Sequence, residues 1–459
     1  MSVVTSASAG RRAQRPATDP TAPPTAEPGP AGTRRARLRH LLTLLGPAFV
    51  AAVAYVDPGN VAANITAGAR YGYTLTWVLV AANIMAMVVQ YQSAKLGVVT
   101  GRSLPEVLRD RMGRRARLLF LAQAELVAVA TDLAEVVGGA VALHLLLGLP
   151  LLAGGLLVGA VSIALLLVQE HRGQRLFEGV VVALLIVITI GFVGGLVVAP
   201  PDWDSVLGGL RPRLEGSGAL LVAASMLGAT VMPHAIYLHS SLVRDHDCPS
   251  GAARTAAGRA PSPATPARTG AEAVRTAKRL RGTRLDVVWA LGLAGIVNIA
   301  LLLLAASALT GAEGTDTIEG AHAAISTSLG PVVGVVFAVG LLASGLASTS
   351  VGAYAGAEIL NGLLRVRVPI LVQRVITLVP ALLVLAAGAE PTRALVVSQV
   401  VLSFGIPFAL VPLIRVTASA EVMGLWRDGV VLRVVSRVVA ALIIALNVAL
   451  LWLTLSGHG

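Results

Sequence analysis

Long apolar runs without charged side chains are the feature that most restricts how this chain can fold. The stretch from Leu151 to Val168, for example, contains no charged residue. A run of about 18 apolar residues forms a helix long enough to cross a hydrocarbon layer of roughly 30 Å, because a helix rises about 1.5 Å per residue. Such a helix satisfies its own backbone hydrogen bonds in lipid, whereas a β-barrel would show alternating segments of about ten residues, which this sequence lacks. The pattern therefore predicts an all-α integral membrane protein.

The charge content supports this class and excludes others. Charged residues make up 13% of the 459 residues, about half of the roughly 25% that is typical of soluble domains. The net charge of +12 does not indicate a nucleic-acid partner, because the basic residues lie between the apolar runs, where they set the orientation of membrane helices. The single cysteine, Cys248, excludes a disulfide within the chain, and the CxxC and HExxH metal motifs do not occur.

The apolar runs predict eleven membrane-spanning segments, two of which are interrupted. Their predicted bounds are 42–57 continued by 60–71, 74–100, 117–147, 151–169, 176–198, 217–231 continued by 234–244, 286–310, 328–361, 368–388, 392–415 and 433–456.

The distribution of arginine between these segments predicts their orientation. Arginine is frequent on one side, in 101–116, 170–175, 245–285, 362–367 and 416–432, whereas the loops of the other side hold few and one of them, 311–320, is acidic. By the positive-inside rule, this asymmetry predicts a multi-pass protein of the cell membrane with a cytoplasmic N-terminus. Residues 1–38 are rich in Ala, Pro, Thr, Gly and Arg and predict a disordered cytoplasmic tail, and 249–273 has a similar composition.

Proline interrupts two apolar segments at corresponding places. One segment reads Ala54-Tyr55-Val56-Asp57-Pro58, and the other reads Ala229-Thr230-Val231-Met232-Pro233, 175 residues further on. Each opens a block of about five helices, and two consecutive blocks of five have opposite orientations in a membrane. Inverted repeats with paired discontinuous helices are typical of secondary transporters, whose site lies at the breaks. The predicted division is a first repeat at 39–200, a second repeat at 201–416 with a flexible cytoplasmic loop at 245–285, and an eleventh helix within 417–459.

The residues at the breaks have the chemistry of a cation site. Proline removes a backbone donor and Gly59 loosens the chain, so the helices are predicted to unwind and to free carbonyl oxygens, such as those of Ala54 and Ala229, toward a cavity. A carboxylate at membrane depth, here Asp57, indicates a functional site, although it could also serve as the N-cap of the second half-helix. Asn60 could supply an amide oxygen or could be a local turn residue.

Met232 adds a neutral sulfur if the two breaks meet. Together with a carboxylate, an amide oxygen and carbonyl oxygens, its thioether would complete a ligand set of mixed hard and soft character. Oxygen ligands alone suit Mg²⁺ and Ca²⁺, whereas sulfur favours softer transition metals. A thioether also binds weakly enough for an ion to leave again. Ordinary apolar packing is the alternative role of Met232.

Further ionisable residues lie inside predicted helices. Glu125, Asp132 and Glu135 are spaced by seven and three residues, which places them near one stripe of a helix. His234 and His239 follow the second break. Carboxylates and histidines at membrane depth can form a proton route, and the alternative is a set of structural hydrogen-bonded groups.

At these residues the sequence resembles the Nramp family of proton-coupled metal-ion transporters, and in particular its bacterial manganese transporters. The motifs Asp57-Pro58-Gly59-Asn60 and Met232-Pro233-His234 match the two signature breaks of that family. Similar blocks occur at 71–97, 124–137 and 398–407, and the resemblance extends over 42–455.

The resemblance implies a LeuT-type 5+5 inverted repeat plus an eleventh transmembrane helix, with helices 1 and 6 discontinuous. It implies import of Mn²⁺, Fe²⁺ and similar ions coupled to protons, without enzymatic activity, cofactor or obligate protein partner. It assigns metal ligation to Asp57, Asn60, Met232 and the carbonyls of Ala54 and Ala229, and adds Gln399 in some states. It assigns proton-linked positions to Asp132, Glu135, His234 and His239, and a polar position on the seventh helix to Asn298.

Two departures from the family pattern concern the proton route. Ala235 stands where the family usually has an asparagine, and Gln373-Arg374 stands where two arginines usually open the polar patch of the ninth helix. We place Arg374 with Glu125 in the expected proton pathway. Met232 argues against the magnesium- and aluminium-carrying relatives, which lack that methionine.

Other functional classes fit the sequence less well. The main alternative is a proton-uncoupled channel or uniporter for the same ions. A membrane metalloenzyme would need an open metal position and a base beside it, and no catalytic motif supports one. A metal-sensing receptor would need a cytoplasmic output domain, and a carrier of non-metal solutes would have little use for Asp57 facing Met232.

Overall fold

Helices form the regular secondary structure of residues 46–172, 174–247, 270–312, 314–315, 317–364 and 368–456, which are the residues that the computed structural model describes. In chain order they are α1 (Pro47–Val53), a 3₁₀ turn (Ala54–Val56), α2 (Pro58–Tyr71), α3 (Thr76–Thr100), α4 (Leu104–Arg111), α5 (Arg114–Leu147), α6 (Leu151–Arg172), α7 (Gln174–Val198), α8 (Trp203–Gly208), α9 (Gly216–Thr230), α10 (Pro233–Asp247), α11 (Gly270–Ala308), α12 (Ile318–Leu329), α13 (Pro331–Leu364), α14 (Ile370–Ala386), α15 (Pro391–Ala418), α16 (Ala420–Met423), a 3₁₀ turn (Gly424–Trp426) and α17 (Val430–Leu455).

Many of these helices match the thickness of a bilayer. In the described part of the chain, nine helical stretches are long and apolar enough to cross a membrane, and α9 with α10 counts as one of them. Two further apolar stretches, Pro47–Val56 and Leu371–Ala386, are shorter. Large apolar side chains such as Ile190, Val197 and Val438 point away from the protein, which suits a lipid surface and would be unfavourable in water. The chain is therefore a multi-pass membrane protein, as its sequence predicts.

The long helix α5 lies at the centre of the packing, against α6, α13, α14 and α15. Glycine permits two of its close approaches to neighbouring helices. A Cβ atom on Gly138 would lie 2.2 Å from Cβ of Pro58, and one on Gly345 of α13 would lie 3.1 Å from the carbonyl oxygen of Glu135. Since any larger residue would force these backbones apart, glycine allows α5 to lie directly beside the start of α2.

Several boundaries differ from the sequence prediction. Helix α11 begins at Gly270 and not at 286, so residues 270–285 are helical where a flexible loop was predicted. Alanine, leucine, arginine and lysine dominate this stretch, and they favour helix even without an apolar run. The helix predicted at 328–361 corresponds to α13 (Pro331–Leu364), whereas α12 (Ile318–Leu329) was not predicted as a helix. The predicted tail at 1–38 and most of the predicted flexible segment 249–273 lie outside the described residues.

Candidate metal-binding site

The first break is a capped turn between α1 and α2. After the 3₁₀ turn that ends at Val56, Asp57 has extended backbone angles and Pro58 is the first residue of α2. The Asp57 carboxylate accepts hydrogen bonds from the backbone N–H of Gly59 at 3.2 Å and of Asn60 at 3.0 Å. Asp57 therefore does act as the N-cap of α2, which is the structural role that the sequence left open. With about four lone-pair sites, a carboxylate that caps a helix can still accept further bonds.

The second break leaves the end of α9 with free carbonyl groups. Helix α9 ends at Thr230, Val231 and Met232 lie between the helices, and Pro233 begins α10. The last carbonyls of a helix have no partner within it. One of them, the carbonyl oxygen of Ala229, accepts a hydrogen bond from the Asn60 side chain at 2.8 Å.

Asn60 joins the two breaks. Its Nδ2 group donates both to Oδ1 of Asp57, at 2.6 Å, and to the carbonyl oxygen of Ala229, while the Thr230 hydroxyl donates to its Oδ1 at 3.4 Å. All four residues are at most 2% exposed. The structure thus brings together three of the six expected metal ligands, namely Asp57, Asn60 and Ala229.

Gln399 of α15 lies against the same turn. A Cβ atom on Gly59 would lie 2.0 Å from its Nε2 atom, so a larger residue at position 59 would displace the end of this side chain. Gln399 is 8% exposed, and neither of its amide atoms has a hydrogen-bond partner among the described residues. A buried amide without partners is costly, and an ion or a water molecule beside the turn would satisfy it.

A cavity of about 250 Å³ opens beside this group. Its lining includes Gly59 and Gln399 next to the break and Arg70 and Thr315 toward the C-terminal end of α2. We call the side of the protein where α2 ends the Tyr71 end. The cavity provides space between the breaks and the Tyr71 end.

Met232 and Ala54 are fully buried and belong to one hydrophobic cluster that includes residues of both breaks. These surroundings are those of a packed apolar side chain, and ligation by the Met232 sulfur and the Ala54 carbonyl stays a prediction. In the described part of the chain, no three His, Cys, Asp or Glu side chains are grouped so as to hold a metal ion. A cation between the breaks would therefore depend on one carboxylate and several neutral ligands.

The carboxylates of α5 form a separate polar stripe that faces α13 and α14. Asp132 forms an ion pair with Arg374 of α14 and accepts a hydrogen bond from the Thr349 hydroxyl at 3.2 Å. Arg374 is fully buried, so this pair is held away from water. Glu135, 1% exposed, lies against Gly352 of α13, and its oxygens find no hydrogen-bond partner of good geometry among the described residues.

Glu125 lies two turns earlier on the same stripe and has a neutral partner. Its Oε2 atom accepts a hydrogen bond from Nε2 of Gln373 at 2.7 Å. Gln373 and Arg374 are adjacent on α14, so two consecutive residues of α14 bind two carboxylates of α5. The structure therefore groups Glu125, Asp132, Glu135 and Arg374 along one face.

The two histidines lie in different surroundings. Nδ1 of His234 is 3.4 Å from the Thr131 hydroxyl, next to the stripe. Nδ1 of His239 is 2.8 Å from Oε1 of Gln90, and Nε2 of Gln90 donates to the Tyr55 hydroxyl at 2.7 Å. His239 thus belongs to a second network around the first break.

Asn298 joins that second network through the backbone. Its Nδ2 group donates to the carbonyl oxygen of Tyr55 at 2.7 Å, and its Oδ1 accepts from Nδ2 of Asn64 at 2.9 Å. Asn298 therefore holds the 3₁₀ turn that precedes Asp57.

Sequence reasoning missed several residues of these networks. Ser403 of α15 and Asn447 of α17 have buried polar atoms without hydrogen-bond partners among the described residues, and they lie beside Gly228, one residue before Ala229. The signal for Asn447 is a lone amide within an apolar run. Gln90 carries the same kind of signal, because it is an amide in the interior of α3. Tyr55 gave no comparable signal, since aromatic side chains near a helix end are common.

Comparison with known proteins places the chain in a family. A profile of proteins described as natural resistance-associated macrophage protein-like, or Nramp, matches residues 48–453. The chain belongs to the Nramp family. This membership confirms the resemblance seen in the sequence, and it confirms the prediction that the chain is not an enzyme, because the related proteins are named as transporters.

Close relatives of this Nramp protein cover nearly its whole length. It is similar to the divalent metal cation transporter MntH of Mycobacterium tuberculosis, with 55% identity over 92% of this chain and 94% of the relative. A protein of the same name from Deinococcus radiodurans is 44% identical over 94% and 93% of the two chains. The solved structure of the Eremococcus coleocola manganese transporter has a TM-score of 0.79 at 28% identity and covers 93% of this chain and 88% of that one.

Proposed function

We propose that this Nramp protein is a secondary transporter that imports Mn²⁺, Fe²⁺ and similar divalent transition-metal ions together with protons. Relatives that match it over more than nine-tenths of its length are named divalent metal cation transporters, and the solved manganese transporter has the same fold. These names support a divalent metal ion as substrate, and the chemistry at the breaks supports the softer members of that class.

The observation that carries the proposal is the position of the Asn60 amide. Its NH₂ group lies between Oδ1 of Asp57 and the carbonyl oxygen of Ala229, at 2.6 and 2.8 Å. Both oxygens are acceptors that a cation could take over from the NH₂ group. Rotation of the amide would then turn its Oδ1 toward the ion as a further ligand. Asp57 would supply the charge, and Ala54, Met232 and Gln399 would complete the neutral ligands.

The membrane arrangement that we propose contains eleven transmembrane helices. The first consists of α1 and α2 and the sixth of α9 and α10, and they are the two discontinuous helices of a LeuT-type 5+5 inverted repeat. The arginine distribution supports an N-terminus in the cytoplasm and a Tyr71 end outside the cell membrane. The cavity of about 250 Å³ would then admit ions from outside.

For the proton route we propose the stripe on α5 together with the histidines of α10. Asp132 paired with Arg374, and Glu135 next to them, are buried ionisable groups, and the two carboxylates lie on a helix long enough to cross a membrane. Burying such groups in a membrane costs free energy, so their presence there indicates a function. His234 lies between this stripe and the second break, so protons and metal would move through adjacent parts of the protein.

Reconstitution into liposomes that contain a pH-sensitive dye tests the proposal. We expect an inward Mn²⁺ gradient to drive both Mn²⁺ uptake and acidification of the lumen, while Ca²⁺ and Mg²⁺ at equal concentration drive neither. Protein-free liposomes are the control. Mn²⁺ uptake without proton entry would instead identify a uniporter or channel, and absence of Mn²⁺ uptake would refute metal transport.

A further inference from the structure

A cluster of charged residues lies at the end of the protein opposite the cavity. Arg244, in the last turn of α10, contacts Glu106 of α4, Glu358 of α13 and its neighbour Asp245. The N–O distance is 2.9 Å in each of these three pairs. We call the side of the protein where α10 ends the Asp247 end.

The Asp247 end and the Tyr71 end are far apart. Helix α3 runs from Thr76, just after Tyr71, to Thr100, just before α4, and its 25 residues span about 37 Å. The cavity lining includes Arg70, whereas Arg244 binds to α4. The protein is therefore open near one end while ion pairs tie helices together at the other.

Three elements converge on Arg244. Besides its contact with Arg244, Glu106 caps α4 by accepting from the backbone N–H of Ser103 at 2.8 Å. The next backbone N–H, of Leu104, donates to the hydroxyl of Ser240 on α10 at 3.0 Å. On its other side α4 is held to α13, because Nη1 of Arg109 donates to the carbonyl oxygen of Gly362 at 2.9 Å. Helix α4 is thus fixed between the ends of α10 and α13.

The geometry of the cluster suits contacts that form and break. Asp245 binds the guanidinium twice, through Nε at 2.9 Å and Nη2 at 3.1 Å. Since Asp245 is on the same helix, it would keep the charge of Arg244 paired if α10 moved away from α4 and α13. Only the pairs with Glu106 and Glu358 would be lost. Their side chains are 26% and 15% exposed, so water could replace the partner at moderate cost.

We propose that Arg244 is a latch that closes the Asp247 end while the cavity is open, and that opening of this end requires its bonds to Glu106 and Glu358 to break. The latch rests on the proposed transport function, because a carrier must open its two ends alternately. Helix α10 begins at the second break, so a latch on its last turn would couple closure of the Asp247 end to the position of that break.

Cysteine labelling tests the latch without any metal. In a Cys248→Ser background, Ser241→Cys reports on the Asp247 end, since Ser241 is fully buried one turn before Arg244. Ser225→Cys reports on the cavity that it lines. Each reporter is combined with Arg244→Met, with Glu358→Gln or with Asp245→Asn. Arg111→Met is the matched control, because it breaks an ion pair with Glu421 at the same end, where the side chains are 37% and 80% exposed.

We expect Arg244→Met and Glu358→Gln to raise the labelling rate at Ser241→Cys by about 5- to 30-fold, which corresponds to roughly 1–2 kcal/mol, and to lower the rate at Ser225→Cys. Asp245→Asn and Arg111→Met should change either rate less than about twofold. An unchanged rate at Ser241→Cys, or an equal rise at both reporters, would overturn the latch. Because labelling needs no substrate, the result does not depend on which ion the protein carries.

Discussion

The two helix breaks that meet at Asn60 are built differently. The first is polar and internally bonded, because Asp57 caps α2 and also accepts from the Asn60 side chain. The second carries no charge, and between α9 and α10 it presents Val231 and Met232, both fully buried. One break therefore contains a carboxyl group that is held in position, whereas the other contains only neutral oxygen and sulfur atoms.

This difference suggests a division of roles. A fixed carboxylate attracts any cation, so the first break should determine whether an ion binds at all. Neutral ligands discriminate between ions by size and softness, so the second break should determine which ion is preferred. Substitutions at matched positions of the two breaks can separate these roles.

The largest effect is expected at Asp57. Replacement by alanine removes both the helix cap and the charge, whereas Asp57→Asn keeps a good cap and removes the charge. We expect both variants to lose Mn²⁺ uptake by on the order of 100-fold or more, equivalent to about 3 kcal/mol. Only Asp57→Ala should also lower the free energy of unfolding, by about 1 kcal/mol. Uptake by proteoliposomes and thermal unfolding in detergent measure the two quantities, and normal uptake by Asp57→Asn would contradict the role of the first break.

A smaller effect is expected from the glycines that pack against the two prolines. A Cβ atom on Gly138 would lie 2.2 Å from Cβ of Pro58, whereas one on Gly405 would lie 3.4 Å from Cγ of Pro233 and would mainly displace the Val127 side chain. Overpacking of this kind costs about 1–3 kcal/mol in either case. Gly138→Ala should reduce Mn²⁺ uptake about tenfold by shifting Pro58 and Asp57, and Gly405→Ala should leave uptake within about threefold of the unaltered protein.

Initial rates at several Mn²⁺ concentrations, with unfolding temperatures of both variants, check this pair. Equal losses of uptake at equal losses of stability would mean that the two breaks tolerate displacement alike. The two breaks would then differ in charge, but not in how strongly uptake depends on their exact position.

The sequence predicts the breaks well because their causes are local. Proline cannot continue a helix, and the structure ends and restarts its helices at Pro58 and Pro233. Apolar length is local as well, and it predicts most of the membrane-spanning stretches. The prediction failed at 270–285. This stretch contains charged residues that favour a helix but no apolar run, and it forms the first part of helix α11.

The contacts across the site could not be predicted, because they join distant parts of the chain. Nothing at position 399 indicates that its amide lies against Gly59, and nothing at Asn60 indicates that its side chain reaches Ala229. The family resemblance supplied these positions as expected ligands, and the structure supplies the hydrogen bonds between them. Ligation by Met232 remains a prediction that only selectivity can test.

Of the substitutions within the breaks themselves, Met232→Leu should affect uptake least, and it is the sharpest test of the second break. Leucine keeps the packing of a fully buried side chain at a cost below about 1.5 kcal/mol, and it removes the sulfur. Mn²⁺ uptake should stay within about tenfold of the unaltered protein, while Ca²⁺, which prefers oxygen ligands, should compete better. Met232→Ala should relax selectivity in the same direction and should in addition destabilise the protein by about 2–5 kcal/mol through the cavity that it leaves. Competition of Ca²⁺ with Mn²⁺ in proteoliposomes measures the change. If Met232→Leu keeps the Mn²⁺ preference, the sulfur serves only packing, and the two breaks differ in charge alone.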